Sequence, residues 1–279
     1  MRVRTGFAAA VLAGLSVAAG ARAQQGVLAP AQSAAKAKQL VAESIQALGG
    51  QAYLGAHDQT CNSQLARFGF HAQLDFYGQA IDYNLYPDKE RTELYKQRNV
   101  IDVNNGNQGW SLDRGGVSDM SADQIADFQK GLKESVDYLF RYQRNDPNLE
   151  YSYAGTDVVD LKQVDWVEID EGNSLTARIA LDQYTHLPVR AEFISRDPET
   201  HVNTTDADYF SNYHRVDGIE TPFQETMTHN GQKTLQVFIA SCSYNTGLEP
   251  SFFTREALEE RWKQLGGKKK QKKKKKSAD

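Results

Sequence analysis

The sequence predicts a mainly β protein of the α+β class, built as one strongly curved antiparallel sheet with helices covering its concave face. Three observations carry this expectation. Most of the chain alternates apolar and polar residues with period two, clusters of turn-forming residues punctuate those runs, and two long segments carry a helical stripe.

Taken in order, residues 1–23 form a targeting segment. Arg2 and Arg4 precede an apolar run over residues 7–19, and Ala21-Arg22-Ala23 supplies the small-x-small pattern of a cleavage site. The apolar run is too short to span a bilayer, which takes ~20 residues. The protein is therefore expected to be exported by a cleaved signal peptide. Residues 24–32, rich in Ala, Gln and Pro, read as a linker to a β domain over residues 33–253. That domain begins with a helix from Ser33, where Leu40, Val41, Ile45 and Leu48 recur at three- and four-residue spacing before Gly49-Gly50. Ser121 is the expected N-cap of a second helix, whose stripe runs Ile125, Phe128, Leu132, Val136 and Leu139 and stops before Pro147.

Strands account for the rest. Ile81, Tyr83 and Leu85 share one face; so do Leu175, Ala177, Ile179 and Leu181, then Leu187, Val189, Ala191 and Phe193, then Leu235, Val237 and Ile239. The stretch VIDVNNGNQGWSL, residues 100–112, reads as a hairpin whose Asn/Gly turn leads into Trp110, an anchor at the sheet's rim with ligand contact as a second role. Further turns are expected at Glu171-Gly172-Asn173, Asp217-Gly218 and Asn230-Gly231. A C-terminal helical segment, residues 254–266, packs on the outside and leads to a disordered lysine-rich tail, residues 267–279.

The formal net charge of −4 hides a split. Residues 24–267 hold 21 basic and 35 acidic residues, a formal −14, whereas the tail holds eight lysines and one aspartate, +7. Lys268, Lys269, Lys270, Lys272, Lys273, Lys274, Lys275 and Lys276 are candidates for contact with an anionic membrane surface. An exported, acidic body argues against nucleic acid as a partner. The two cysteines, Cys61 and Cys242, read either as a disulfide or as two separate buried thiols.

Motifs for catalysis are missing. The chain has no GxSxG elbow, P-loop, GxGxxG or HExxH. His201, Asp206, Asp208 and His214 are the densest group of potential ligands, but their spacing is that of no established metal motif, and neither a metal nor a cofactor is expected. Acidic pairs in DVVD, DWVEID and DADY leave a carboxylate hydrolase as the least favoured alternative.

Several local patterns together resemble the LolA/LolB-like superfamily of periplasmic lipoprotein carriers. These are the leading helix ending ALGG, the DVNNGNQGWSL hairpin, the ADQIADFQKGL helix, ARIALDQYTHLPVRAEF and YFSNYHRVDGIETPFQETM, spanning about residues 36–250. The resemblance implies an incomplete antiparallel β-barrel in the periplasm. It also implies a monomer that holds a lipid, acylated lipoprotein or other apolar ligand without chemistry. On this reading Tyr83, Leu94, Trp110, Phe128, Leu132, Ile179, Leu181, Val189 and Phe193 are the candidates to line its apolar cavity. The alternative is an exported protein-interaction module without a ligand.

Overall fold

The computed structural model describes residues 28–95, 98–172, 175–196 and 200–267. The expected signal segment, residues 24–27 of the expected linker and the lysine tail from residue 268 lie outside these residues.

Alternation and turns produce thirteen strands: β1 (Asp58–Phe68), β2 (Leu74–Leu85), β3 (Lys89–Leu94), β4 (Val100–Asn105), β5 (Gln108–Asp113), β6 (Gly116–Asp119), β7 (Glu150–Val159), β8 (Lys162–Asp170), β9 (Leu175–Asp182), β10 (Pro188–Arg196), β11 (Asn203–Val216), β12 (Ile219–His229) and β13 (Gln232–Tyr244). They form one antiparallel sheet in the order β6-β5-β4-β3-β2-β1-β13-β12-β11-β10-β9-β8-β7. Each half is a meander of sequence neighbours. Among the described residues, the one non-local junction is β1 against β13, which lies in mid-sheet. Strands β6 and β7 are the edges, so the barrel is incomplete and the sheet is a strongly curved trough.

The sheet is amphipathic in opposite senses on its two halves. In β8–β10 the main apolar face is inward, with a smaller cluster of Val164, Trp166, Ala180 and Val189 on the outer side. Val167, Ile169, Ala177, Ile179, Leu181, Ala191 and Phe193 pack beneath α1 (Pro30–Leu48), which contributes Ala37, Leu40, Val41, Ile45 and Leu48. In β2–β5 the apolar residues face outward. Tyr83, Leu85, Ile101, Val103, Trp110 and Leu112 pack against a 3-10 turn, Pro250–Phe253, and α5 (Arg255–Gln264), with Phe253 and Leu258 fully buried. The alternate residues of β2–β4, namely Asp82, Asn84, Glu90, Thr92, Asp102 and Asn104, therefore face inward, because strand side chains alternate between faces.

The helices refine the sequence reading. Helix α1 starts at Pro30, inside the expected linker, since proline suits the first helical turn. It ends at Gly49 (φ +133°), where a Cβ would collide with the Gly218 carbonyl of the β11–β12 turn. A short α2 (Gln51–Gly55) then brings Tyr53 into the core. The expected second helix is broken in two. Ser121 caps α3 (Ala122–Lys133) with a reciprocal Gln124 capping box. Ser135 then caps a new helix, α4 (Val136–Tyr138), continued by a π turn, Leu139–Gln143. The break separates two environments: Val136, Leu139 and Phe140 are buried, whereas Ile125, Phe128 and Leu132 are half-buried.

Two devices lock the mid-sheet junction. Cys61 and Cys242 are register partners on β1 and β13 and are disulfide-bonded. Asp58, fully buried at the start of β1, accepts hydrogen bonds from the backbone N–H groups of Thr246, Gly247 and Leu248 and from the Thr246 hydroxyl. Burial alone would raise this carboxyl, but those donors outweigh it and hold it below its ordinary value.

Asp58→Ala should lower the unfolding free energy by roughly 2–4 kcal/mol, the cost of leaving several donors unmet. A depressed carboxyl stabilises the fold above its ordinary value of 3.8 and loses that contribution as pH falls through the lowered folded value. Urea titrations of both proteins should therefore converge below that pH. Trp110→Ala, which removes an outer-face anchor of α5, should cost roughly 2–4 kcal/mol by the same measurement. It should leave the inner face able to bind an apolar dye.

Candidate functional site

Helix α1 covers the inner face only over the β7–β12 half. The remaining concavity, walled by β1–β4 and β11–β13, is a hollow of about 950 Å³ that opens to solvent. Such a volume falls in the ordinary range for small-molecule sites, ~300–1,000 Å³. Two kinds of wall meet in it. One is apolar: Leu65, Leu94, Leu235 and Val237 cluster on the inner face, with Phe210, Met227 and Ile239 further along. The other is polar and mostly acidic.

Strand register places the acidic wall. Asp82 accepts from the Ser63 and Thr92 hydroxyls, and Thr92 also donates to Glu90 on its own strand. Asp102 accepts from Ser111 across the β4–β5 hairpin. On the opposite side, Asp208 is the register partner of Met227, and Phe210 is the partner of Glu225. Among the described residues, the Asp208 and Glu225 side chains take part in no hydrogen bond or ion pair. Burial pushes the Glu225 carboxyl up to about 8, and the fields of Asp208, Asp137 and Asp82 push in the same direction. Burial raises Asp208 to about 7, with Asp206 and Glu134 adding to it. Glu90 rises to about 7 through burial and then Asp82, with its Thr92 hydrogen bond opposing. Asp82 itself is raised by burial against its two hydroxyl donors. These side chains tell one story: carboxyls gathered along a partly open hollow with too little positive charge.

Two arginines reach the hollow. Arg141 sits at the α4 end, its guanidinium over the rings of Tyr53 and Tyr86 at 4.1 and 4.7 Å; it donates to the Ala56 carbonyl and stands 3.5 Å from Asp137. Arg67, at the far end of β1, lies over Phe76. Helix α3 is tied to both sides: Gln129 donates to the Gly106 carbonyl and to Asn107 in the β4–β5 turn, and Lys130 pairs with Asp206 at the start of β11. Gln124 and Asp127 of α3 face the hollow.

Of the nine cavity candidates named from sequence, Leu94 lines the hollow. Ile179, Leu181 and Phe193 lie in the dry core under α1, each at most 1% exposed. Tyr83 and Trp110 face the other way, under α5, because the apolar face of β2–β5 is the outer one. Val189 also turns outward, joining Val164, Trp166 and Ala180, because a bulge between Pro188 and Arg190 breaks the alternation of β10. Phe128 and Leu132 ride on α3 without lining the cavity. Sequence reasoning missed the acidic wall, although the polar positions of IDYNLY and VIDVNN carried the signal. Among the described residues no set of three His, Cys, Asp or Glu side chains converges as metal ligands. Asp206 pairs with Lys130 and His229, and His214 is exposed beside Phe223.

No family model matches the chain, and no curated protein matches it by sequence. Solved structures do share its fold. A DUF1329 family protein from Desulfovibrio piger superposes with a TM-score of 0.56 at 14% identity, over 81% of this chain and 98% of its own. A domain designated an outer membrane lipoprotein-sorting protein, from Vibrio parahaemolyticus, gives 0.52 at 14% identity, over 81% and 99%. A LolA superfamily protein from Nitrosomonas europaea gives 0.51 at 10% identity, over 81% and 99%. The fold of this chain is LolA-like.

Glu225→Gln tests the electrostatics of the hollow. A carboxyl raised from 4.5 to about 8 on folding costs stability progressively as pH rises between those values, because the unfolded chain releases its proton first. The variant should match the wild type near pH 4.5 and exceed it at pH 8 by roughly 1–2 kcal/mol, a figure reduced for water in the open hollow. Thermal or urea midpoints at the two pH values provide the check.

Proposed function

We propose that this protein is an exported, non-enzymatic binding protein that carries or senses a lipid-like ligand in the hollow of its curved sheet. The observation that supports this most is the part of the inner face left uncovered by α1, where Leu65, Leu94, Leu235 and Val237 form an apolar surface bordering about 950 Å³ of space. Each methylene of a chain lodged there is worth ~0.8 kcal/mol, so a medium-length acyl chain suffices for useful affinity. The LolA-like fold supports the same reading, since one protein sharing it is designated for outer membrane lipoprotein sorting. Export to the periplasm rests on the Arg2/Arg4 and Ala21-Arg22-Ala23 pattern, and contact with an anionic membrane surface on the lysine tail.

A second reading, acid-catalysed hydrolysis, draws on the raised carboxyls of Glu225, Asp208 and Glu90. Turnover of a glycoside and ester panel that disappears in Glu225→Gln would favour it over carriage.

Native mass spectrometry of the purified protein should show co-purifying lipid, and the apo-protein should bind an apolar fluorescent dye. Val237→Trp, which fills the hollow from β13, should weaken dye binding at least tenfold with a thermal midpoint within a few degrees of wild type. A clean protein that binds neither dye nor lipid would refute the carrier reading.

A further inference from the structure

The charge lining the hollow narrows the class of ligand, given the reading of the hollow as a binding site. Among the described residues, eight carboxylate residues face it (Asp82, Glu90, Asp102, Asp127, Asp137, Asp208, Glu220 and Glu225) against two arginines, with no lysine or histidine. Arg141 is already engaged with Asp137 and the Ala56 carbonyl, and Arg67 sits at the far end of β1 over Phe76.

Structural carboxylates are normally paired or hydrogen-bonded, since a buried charge without a partner is costly. Asp82, Glu90 and Asp102 follow that rule through hydroxyl donors on Ser63, Thr92 and Ser111. Asp208 and Glu225 break it. They are diagonal neighbours on the inner faces of β11 and β12, they are half-buried, and what opening they keep is onto the hollow. Neither takes a hydrogen bond or ion pair from any described residue. Their immediate company is apolar and aromatic: Phe210 and Met227 beside them, and Val237 next to Glu225 on β13.

We propose that the hollow binds an amphiphilic cation, whose positive head lies against Asp208 and Glu225 and whose apolar part runs along Val237 and Leu235 toward Leu65 and Leu94. The head group receives what an ammonium needs. Two carboxyls, which a bound cation draws into their charged form, supply opposite charge, and the Phe210 ring offers a π face for a quaternary or protonated amine. The apolar row continues from that point, because Val237 pairs with Leu65 on β1 and both cluster with Leu235, Ala80 and Leu94. A neutral or anionic lipid would find the same apolar row but would leave the two carboxyls unmatched, or be repelled by them. The raised affinity of Glu225 and Asp208 for protons is a further sign of the same deficit of positive charge.

The test is isothermal titration of the purified protein with three probes of equal chain length below their micellar concentrations: dodecyltrimethylammonium, dodecyl maltoside and dodecyl sulfate. The ammonium should bind with one-site stoichiometry and at least tenfold more tightly than the other two. Asp208→Asn/Glu225→Gln should bring its affinity to within about threefold of the maltoside's while leaving the maltoside unchanged. Glu225→Gln alone, the smaller perturbation, should give an intermediate loss. Equal affinity for all three probes, or a preference that survives the double replacement, overturns the cation assignment and leaves the apolar site standing. Absence of binding by any of the three overturns both.

Discussion

Everything distinctive in this structure depends on the pairing of the first strand with the last. Strands β1–β6 and β7–β13 are two antiparallel meanders that sequence neighbours could build independently. Only β1 against β13 merges them, and it does so in mid-sheet, where both faces matter. That contact closes a loop of about 180 residues, a large entropic cost, so it is reasonable to find it reinforced by means other than ladder hydrogen bonds. The disulfide between register partners limits the unfolded chain. Asp58 acts on the native side, gathering the backbone donors that follow β13 onto the start of β1. Covalent and electrostatic clamps therefore secure the same seam by different physics.

The seam also joins two sheets of opposite burial. A strand of alternating pattern has one apolar face to hide, and the two meanders hide theirs on opposite sides. The β7–β10 face turns inward beneath α1, whereas the β2–β5 face turns outward beneath the C-terminal turn and α5. On that outer side even a buried ion pair is accommodated: Arg91 binds Glu93, donates to the Phe252 carbonyl and lies 4.0 Å from the Phe252 ring centroid. Its position under the 3-10 turn fixes how the C-terminal segment lies on the strands.

Much of this was legible in the sequence and some of it was not, for one recurring reason. Periodicity reports which residues share a face, and it grouped Ile81 with Tyr83 and Ile179 with Leu181 as the structure does. It carries no information on which side that face is turned. Assigning the Tyr83 face to the concave side placed Tyr83, and the ligand contact given to Trp110 as its second role, in a cavity that they face away from; Trp110 instead packs among α5 residues. Val189 was lost to a different cause, a bulge that period two cannot anticipate. The break between α3 and α4 was encoded by Ser135, whose side chain serves as an N-cap and so competes with continuation of the helix, but the unbroken apolar stripe masked it. The apolar row of β13 was read correctly as a face. Its role as the floor of the hollow depended on α1 stopping short of it, a matter of tertiary reach rather than of pattern.

The composition of the hollow then follows from topology. Where the inward face passes from the apolar half to the polar half, across β12, β13, β1 and β2, a cavity left open must be lined by both kinds of residue. Glu225 and Val237 are register partners at that transition, and Asp82 faces the hollow one strand beyond β1. A trough made from two inward-apolar halves would have the same volume and accept any hydrocarbon. One made from two inward-polar halves would simply fill with water. Joining unlike halves gives a surface on which apolar side chains and acidic ones lie close together, and that juxtaposition comes from the sheet itself rather than from loops added at its mouth.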